Sequence, residues 1–232
     1  MAKPSQIVEG LWQIALGPVN AFLLDDPQGG LALIDTGVPK SEGKIVEAIE
    51  AIGKKSSDLK HIVITHCHPD HSGSLAALKK MTGATAYMHR DDAALVRRGE
   101  GKRPMKAAPG LMKKIFFQLF VAHNDGRIEP AIIDREVDGG TELPIAGGLK
   151  AIHAPGHCAG QLVFLWPLRR LLFAADACSN MPSLGYSLGY EDLELGRASL
   201  RKLAALDFDA AVFGHGKAIT IGASKKFRST WT

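Results

Sequence analysis

Residues 66–71 of this 232-residue chain read HCHPDH and bring three histidines and one aspartate into six positions. The cluster follows the apolar run HIVIT, a predicted buried strand, and precedes SGSLAALKK, a predicted helix with Ser72 as its N-cap. A solvated loop has no need of such a cluster, and a buried loop could not leave so many polar atoms without partners. The segment therefore indicates a site that other parts of the chain complete.

The spacing within the cluster suits metal binding. In an extended segment, residues two apart point to the same side, so His66 and His68 can bind one ion together. Cys67 then points away and is predicted to be a packing residue. Asp70 and His71 lie at the entrance of the predicted helix, where they could face a second ion.

Three further potential ligands each follow an apolar strand. LKAIHAPG leads to His157, RLLFAA leads to Asp176, and AAVFG leads to His215. Strand ends of an α/β fold converge on one edge of the sheets, where irregular loops can aim side chains at a common point. Zinc accepts this mixture of imidazole nitrogen and carboxylate oxygen, and iron or manganese can use the same ligands. The strand ends therefore predict a metal site built from distant parts of the chain.

The motif THCHPDHSG, with LIDTG upstream and HAPGHCAGQ, FAAD and FGHG downstream, resembles the metallo-β-lactamase-fold superfamily. The motifs occur in that family's order and spread over residues 31–217. The resemblance implies an α/β fold, the αβ/βα sandwich, in which two mixed β-sheets lie face to face with helices outside. It also implies two divalent metal ions at one edge, with zinc as the expected metal and iron or manganese as alternatives.

The resemblance also implies a role for each ligand. The expected ligands of the first metal are His66, His68 and His157; those of the second are Asp70, His71 and His215; and Asp176 is expected to bridge the two. A water shared by two cations loses a proton near neutral pH, and the resulting bridging hydroxide would attack a carbonyl. Asp70 is also the expected catalytic residue, since it could orient the hydroxide and pass a proton to the leaving group. Asp35, in LIDTG, is expected outside the ligand set, where it fixes a histidine or a nearby loop.

The motifs favour the branch of glyoxalase II and the acyl-homoserine lactonases, so hydrolysis of an ester, thioester or lactone is the predicted reaction. A β-lactamase of this fold usually has cysteine or serine where Asp176 stands, which disfavours antibiotic hydrolysis. Glyoxalase II adds a C-terminal helical domain, whereas 17 residues follow His215 here. The lactonases place a tyrosine three positions after the bridging aspartate. This chain has Ser179 there, and Tyr186 or Tyr190 could substitute from the same loop.

An alternative from another reaction class is a persulfide dioxygenase with a single iron. Such enzymes hold the iron with two histidines and an aspartate, which here would be His66, His157 and Asp176. The other ligand-type residues do not exclude this interpretation. A nuclease is disfavoured because no extra domain or RNA-binding arm is visible, and a purely stabilising metal site is disfavoured because the ligand set is complete.

Apolar strand patterns alternate with helical patterns along the chain, which predicts an α/β architecture. No Ser/Gly linker divides residues 1–232, so a single domain is predicted. IVEGLWQIA, VNAFLLDD and LALIDTG are predicted as three strands, and AIIDREV as a later strand. Residues 104–123 interrupt the alternation and are predicted as a helical cap insertion.

The insertion contains an apolar helical face, opposite two lysines, that is formed by Leu111, Met112, Ile115, Phe116, Leu119 and Phe120. Three interpretations are open: the face belongs to the core, it covers a substrate pocket, or it contacts a second copy or a membrane surface. If it covers a pocket, Phe116 and Phe120 would bind substrate. The loop 177–191, with Ser179, Tyr186 and Tyr190, would form another wall.

Composition restricts compartment and partners. With 46% hydrophobic and 22% charged residues, the chain is typical of a soluble globular protein, and no apolar run approaches the roughly 20 residues of a membrane span. Three cysteines are too few for a disulfide framework and no signal peptide is recognisable, so the cytoplasm is the expected compartment. The net charge of +4 is small, and the basic clusters 97–106 and 225–228 are interpreted as a solvated loop and a frayed tail rather than a nucleic-acid surface. A small-molecule substrate is expected, and a homodimer stays open.

Overall fold

The computed structural model describes residues 4–231. The strands, in chain order, are β1 (Ser5–Val8), β2 (Leu11–Ala15), β3 (Asn20–Asp25), β4 (Leu31–Ile34), β5 (Leu59–Val63), β6 (Thr85–Met88), β7 (Lys106–Ala107), β8 (Arg135–Glu136), β9 (Glu142–Leu143), β10 (Leu149–His153), β11 (Leu162–Trp166), β12 (Leu171–Phe173), β13 (Ser179–Asn180), β14 (Leu184–Gly185), β15 (Gly189–Tyr190) and β16 (Ala210–Val212). The α-helices are α1 (Glu42–Ala51), α2 (Pro69–Ser72), α3 (Leu75–Thr82), α4 (Arg90–Val96), α5 (Leu111–Phe120), α6 (Leu193–Ala204) and α7 (Ala223–Trp231).

Two large sheets form the centre of the molecule. The first has seven strands in the order β1-β2-β3-β4-β5-β6-β8, and the second has five in the order β16-β12-β11-β10-β9. In the first sheet the strands from β1 to β4 are antiparallel and those from β4 to β8 are parallel. In the second sheet β12 and β16 are parallel, and the other neighbours are antiparallel. Both sheets are therefore mixed, as the resemblance implied.

Three apolar cores separate the layers of helices and sheets. One lies between the first sheet and helices α1, α3 and α4, one lies between the two sheets, and one lies between the second sheet and helices α6 and α7. β3 shows why both faces of a strand are apolar: Ala21 and Leu23 face the helices, and Phe22 and Leu24 face the other sheet. The ring of Phe22 meets Phe173 of the second sheet edge-on, with centroids 5.7 Å apart. This arrangement confirms the predicted αβ/βα sandwich.

Several predicted elements differ in detail. IVEGLWQIA forms two strands, β1 and β2, because Gly10 has φ +78° and turns the chain between them. Ser72 is not the N-cap of the helix after the histidine cluster: it ends α2, its hydroxyl donates to Cys67 O at 2.7 Å, and Ser74 occupies the N-cap position of α3. In AIIDREV, Arg135 and Glu136 alone form a strand.

The basic cluster near the C-terminus is not a frayed tail. Residues 225–228 lie within α7, where Phe227 is fully buried and packs edge-on against Phe208 with ring centroids 5.1 Å apart. Its neighbours Lys225 and Lys226 are exposed. The cluster therefore consists of solvated charges on a helix whose other face belongs to the core.

Among residues 4–231, no helix combines the length and the apolar character that crossing a bilayer requires.

Replacing Phe227 with alanine should lower the free energy of unfolding by about 3–5 kcal/mol, since a buried ring is removed from a packed core. Urea unfolding of the full chain measures this value. The matched control is Lys225→Ala on the exposed side of α7, which should change it by no more than about 0.5 kcal/mol. Equal stability of the two variants would contradict the placement of α7 in the core.

Candidate metal centre

The candidate site lies where strands of both sheets end. β4 and β5 are parallel, so Asp35 after β4 and the segment 64–71 after β5 lie at the same edge of the first sheet. β12 and β16 are also parallel, and the loops after them carry Asp176 and His215. The chain thus delivers the predicted side chains from strand ends, as the sequence indicated.

Three histidines form the first group. His68 Nδ1 lies 3.1 Å from His66 Nε2 and 2.9 Å from His157 Nε2. All three are buried. Cys67 points away from them and is buried in the core, as predicted. Three nitrogens this close can serve one cation.

Asp70, His71 and His215 form the second group. Asp70 Oδ2 lies 3.3 Å from His215 Nε2 and 3.8 Å from His71 Nε2. The rings of His66 and His71 are 4.1 Å apart, so the second group adjoins the first. The Asp70 side chain is 35% exposed, which makes it the more accessible of the two site carboxylates.

Asp176 lies between the groups. Its Oδ2 is 3.7 Å from His157 Nε2 and 3.2 Å from His215 Nε2, and its Oδ1 is 3.5 Å from His71 Nε2. It is the one carboxylate of the cluster that approaches both groups within the described residues. The structure thus brings together all seven side chains that the sequence resemblance selected.

Each imidazole is held by its other ring nitrogen. That nitrogen lies at hydrogen-bond distance from a polar atom that is not one of the seven predicted ligands, so the other nitrogen faces the cluster. The pairs are His66 Nδ1 with Thr65 Oγ1 (3.0 Å), His68 Nε2 with Cys158 Sγ (3.2 Å), His71 Nδ1 with Asp35 Oδ2 (2.9 Å), His157 Nδ1 with Gly189 O (2.8 Å) and His215 Nδ1 with Pro18 O (2.8 Å). The partners therefore fix the orientation of every ring.

Asp35 fixes both a histidine and a loop. In addition to His71, its carboxylate accepts hydrogen bonds from the backbone N–H of Thr65 at 2.8 Å and from the Thr65 hydroxyl. Because Thr65 precedes the HCHPDH segment, one aspartate positions the start of that segment and one of its rings. The expected place of Asp35 outside the ligand set agrees with this geometry.

Asp92 of α4 holds two of the ligand loops together. It is completely buried and accepts hydrogen bonds from Cys67 N at 3.0 Å and Gly160 N at 3.1 Å. Arg103 pairs with the same carboxylate at 2.7 Å. Because Gly160 lies three residues after His157, the carboxylate links the HCHPDH loop to the loop of the third histidine. The interpretation of the basic cluster around Arg103 as a solvated loop is therefore wrong at this residue.

Asn20, at the start of β3, joins the two sheets at the site. Its backbone N–H donates to Gly214 O at 2.8 Å, and its side-chain amide donates to Phe213 O at 3.1 Å and to Gly216 O at 3.0 Å. These three acceptors surround the position of His215. Asn20 therefore positions the loop that carries the last ligand, a role that the sequence analysis missed.

The three imidazoles of the first group are neutral at pH 7. Burial, and then the neighbouring His157, lower the pKa of His68 to about 3. Burial is also the largest cause that lowers the pKa of His157 and holds the pKa of His66 well below its usual value. A neutral imidazole is the form that binds metal, so this group is ready for a cation.

The two imidazoles beside the carboxylates are protonated at pH 7. Although burial opposes it, Asp70 and Asp176 raise the pKa of His71 to about 9. The same carboxylates, again against burial, raise the pKa of His215 well above its usual value. The positive rings in turn hold the pKa of both carboxyl groups far below their usual range. A cation bound here would displace the protons of the rings.

The donor atoms fit a divalent metal. His71 Nε2 and Asp176 Oδ1 are buried and have no hydrogen-bond partner within the part of the chain described. Buried polar atoms are normally paired, and a cation between these two would satisfy both. Ligand atoms that lie within 4.8 Å of one another occur in several overlapping groups around this point, among them His66 with His71 and Asp176, and Asp70 with His71 and His215. Imidazole and carboxylate donors suit zinc, iron and manganese.

Comparison with known proteins gives the family. A family model described as the metallo-β-lactamase superfamily matches residues 14–215. The chain belongs to this superfamily. Metallo-β-lactamase superfamily proteins bind divalent metals and are mostly metal-dependent hydrolases, and the His/Asp cluster occupies the part of this chain where such a metal could be held.

Individual metallo-β-lactamase superfamily relatives are similar at low identity. The chain is 30% identical over 203 residues to the hydroxyacylglutathione hydrolase of Rhizobium meliloti; the match covers 84% of this chain and 61% of that protein, less than two thirds of its length. It is 26% identical to the hydroxyacylglutathione hydrolase GloC of Haemophilus influenzae, with 92% and 95% covered. A solved Cronobacter sakazakii metallo-β-lactamase with a HARLDQ motif has a TM-score of 0.72 and 27% identity, with 92% and 81% covered. These matches confirm the expected family and fold class.

The expected substrate residues of the loop 177–191 are engaged in packing. Tyr190 is buried, its hydroxyl donates to Ala177 O at 2.8 Å, and Ser187 N donates to that hydroxyl at 3.2 Å. Because the backbone occupies this hydroxyl, the expectation that it substitutes for a lactonase tyrosine loses support. Ser179 donates to Tyr186 O at 3.3 Å, so this side chain also contributes to the conformation of the loop.

Helix α5 packs on the same loop through a residue that the sequence analysis did not select. Phe117 is its one buried side chain, and it lies against Gly189, whose carbonyl accepts from His157. Phe116 and Phe120 are on the exposed side, with 40% and 68% of their surface accessible. The interpretation of the apolar face as core is therefore wrong, and substrate binding by Phe116 and Phe120 stays a prediction.

Replacing Gly214 with alanine should displace the carboxylate at the centre of the cluster. A Cβ at this position would lie 2.2 Å from Asp176 Oδ1 and 2.6 Å from His71 Cε1. We expect the variant to fold and to bind less metal per chain, as measured by plasma mass spectrometry after gel filtration. The control is Gly43→Ala, whose Cβ would meet nothing within 4 Å. Equal metal content of both variants would contradict the crowded geometry.

Metal binding should release protons in a pH-dependent way. His71, with a pKa of about 9, and His215, whose pKa is also raised, must lose their protons to bind a cation. Calorimetric titration with zinc, in buffers of different ionisation enthalpy, should therefore show proton release at pH 8 that falls as the pH rises through about 9, where His71 loses its proton.

A substitution at one of the site carboxylates tests the origin of this proton release. Asp70→Asn removes a negative charge that raises the pKa of both rings, so its proton release at pH 8 should be smaller than that of the unaltered chain. His61→Gln, outside the cluster, should leave the release unchanged. A release that does not vary between pH 8 and 10 would contradict the assigned charges.

Proposed function

We propose that the protein is a binuclear metal-dependent hydrolase that cleaves an ester, thioester or lactone bond. The observation that carries the proposal is the convergence of five imidazoles and two carboxylates, with every ring anchored by its second nitrogen. A cluster built only for stability has no need to leave a water-accessible carboxylate at its rim, as Asp70 does. Membership of a superfamily of mostly metal-dependent hydrolases supports the same reaction class.

In this proposal the two groups hold one cation each. His66, His68 and His157 would hold the first, Asp70, His71 and His215 the second, and Asp176 both. Bound cations would polarise the scissile carbonyl and lower the pKa of an attacking water from 15.7 to roughly 7. The anchored rings keep these positions fixed during turnover, so little reorganisation is needed in the transition state.

Asp70 is proposed to move the proton. It is ionised at neutral pH because His71 and His215 lower its pKa, so it can accept a proton from the attacking water. Its partial exposure places it beside the approaching substrate rather than behind the cluster. The same carboxyl group can then donate the proton to the departing alcohol or thiol, which completes the hydrolysis.

A thioester is the favoured substrate class. Two relatives bear the name hydroxyacylglutathione hydrolase, an activity that cleaves the thioester of an acylated glutathione. GloC matches over 95% of its own length, so a protein of that name has nearly the size of this chain, which weakens the expectation that such an enzyme needs a further helical domain. The identities of 26% and 30% support the reaction class more than the particular thiol.

The first test is metal content and hydrolysis on the full chain purified without added metal. About two zinc, manganese or iron ions per chain, with hydrolysis of a hydroxyacyl-glutathione thioester, an ester or a lactone, would support the proposal. About one iron per chain, with oxygen consumption on glutathione persulfide and no hydrolysis, would contradict it in favour of a persulfide dioxygenase.

Substitution of the proton-transfer residue gives a sharper result. Asp70→Asn keeps the size of the side chain and removes its basicity, so kcat should fall by about 10²- to 10⁴-fold. His123→Ala, an exposed histidine outside the cluster, should retain full activity. Full activity of Asp70→Asn in a protein with unchanged metal content would refute the assigned role.

A further inference from the structure

Helix α5 exposes an unusual concentration of apolar side chains. Of the 13 large hydrophobic residues exposed in the described part of the chain, six lie in this ten-residue helix. They are Leu111 (74% exposed), Met112 (57%), Ile115 (42%), Phe116 (40%), Leu119 (66%) and Phe120 (68%). Scattered exposed hydrophobic residues are ordinary, whereas a contiguous apolar patch marks an interaction surface. We call this patch the α5 face.

The helix is turned so that its more polar side faces the protein. Phe117 is buried against Gly189, and the Lys113 ammonium donates to Tyr186 O. Lys102 donates to Val121 O at 2.6 Å and to Asn124 O at 3.1 Å, so it closes the end of the helix. The contacts that fix α5 therefore come from its protein-facing side, and the α5 face is left free.

The surroundings of the α5 face carry positive charge. Residues 101–124 contain the four lysines Lys102, Lys106, Lys113 and Lys114 and no aspartate or glutamate, and the one arginine, Arg103, is paired with Asp92 and Glu191. Lys106 and Lys114 are exposed, and Lys102 and Lys113 lie at the border between the helix and the body of the protein. An apolar helix face bordered by cationic side chains is the arrangement that binds in the plane of a bilayer, with the lysines at headgroup level.

A second copy of the chain fits this charge less well. A two-fold symmetric contact places the same patch against itself. Residues 101–124 would then bring their four lysines close to four more, with no acidic residue in the segment to pair with them. Phosphate groups of anionic lipids supply the missing negative charge.

We propose that the α5 face docks on a membrane surface that carries anionic phospholipids. The apolar side chains insert at the boundary between headgroups and acyl chains, and the lysines contact the phosphates. This proposal concerns peripheral binding and is independent of the proposed hydrolase activity. It places the loop 186–190 near the membrane, because Phe117 and Lys113 attach α5 to that loop.

The test is flotation of the full chain with lipid vesicles. Vesicles of phosphatidylcholine that contain roughly 30% phosphatidylglycerol should bind the protein at least about tenfold more tightly than phosphatidylcholine alone. Binding should weaken as the salt concentration rises, because the lysine contacts are screened. Absence of binding to the anionic vesicles would overturn the proposal.

Matched variants separate the α5 face from general hydrophobicity. The double variant Leu111→Ser, Leu119→Ser removes two exposed side chains of the face, and its affinity for the anionic vesicles should fall on the order of tenfold or more. The control Ile132→Ser, Ile221→Ser removes two exposed side chains elsewhere, 70% and 88% accessible, and should bind like the unaltered chain. Lys114→Glu should weaken binding at low salt.

The oligomeric state of the protein tests the competing hypothesis that the α5 face binds a second copy of the chain. Sedimentation at increasing protein concentration should show no self-association that depends on the α5 face. A dimer that Leu111→Ser, Leu119→Ser abolishes, with vesicle binding equal in both proteins, would overturn the membrane proposal in favour of a second copy. Equal vesicle binding by the α5 variant and its control would also overturn it.

Discussion

Each imidazole of the cluster is fixed by a hydrogen bond at one ring nitrogen, and the rest of the site depends on this constraint. A neutral histidine can bind a cation only through the nitrogen without a proton, so the partner of one nitrogen decides the chemistry of the other. The partners are a carboxylate, a hydroxyl, a thiol and two main-chain carbonyls from separate loops. The cluster is therefore a property of the whole sandwich edge, and the HCHPDH segment alone could not form it.

One of these ring-fixing hydrogen bonds comes from a strained turn of the backbone, whose strain other hydrogen bonds offset. Asp35 has φ 60°, a left-handed conformation that is uncommon for residues with a side chain, directly after β4. Its carboxylate accepts hydrogen bonds from Thr65 and His71, and the N–H and hydroxyl of Thr36 both donate to His71 O. The strained turn is thus held by contacts with the segment that follows β5. It persists because it is the turn that aims the carboxylate at the ring.

The metal ligands could be predicted from the sequence, whereas the residues that hold the ligand loops in place could not, for a physical reason. A ligand follows its apolar strand directly, so strand pattern and residue type together mark His66, Asp176 and His215. Asp92 stands in a DD pair at the start of a helix, where acidic residues ordinarily face solvent and favour the helix dipole. Its burial depends on backbone donors at Cys67 and Gly160, 25 and 68 residues away. Periodicity carries no information about such distant contacts. The contacts of Asn20 with the loop around His215 could not be predicted for the same reason.

Helix α5 shows the complementary limit of pattern analysis. Periodicity states correctly which side chains share a face, but it does not state which face turns inward. The orientation is decided by Gly189: a Cβ there would lie 2.6 Å from the Phe117 ring, so the absence of a side chain opens the space that Phe117 fills. Once Phe117 is seated, the six apolar residues on the other side of the helix are left between 40% and 74% exposed. Phe117 and Gly189, which lies 72 positions further along the chain, thus place on the surface a face for which the sequence left core, pocket and contact interpretations open.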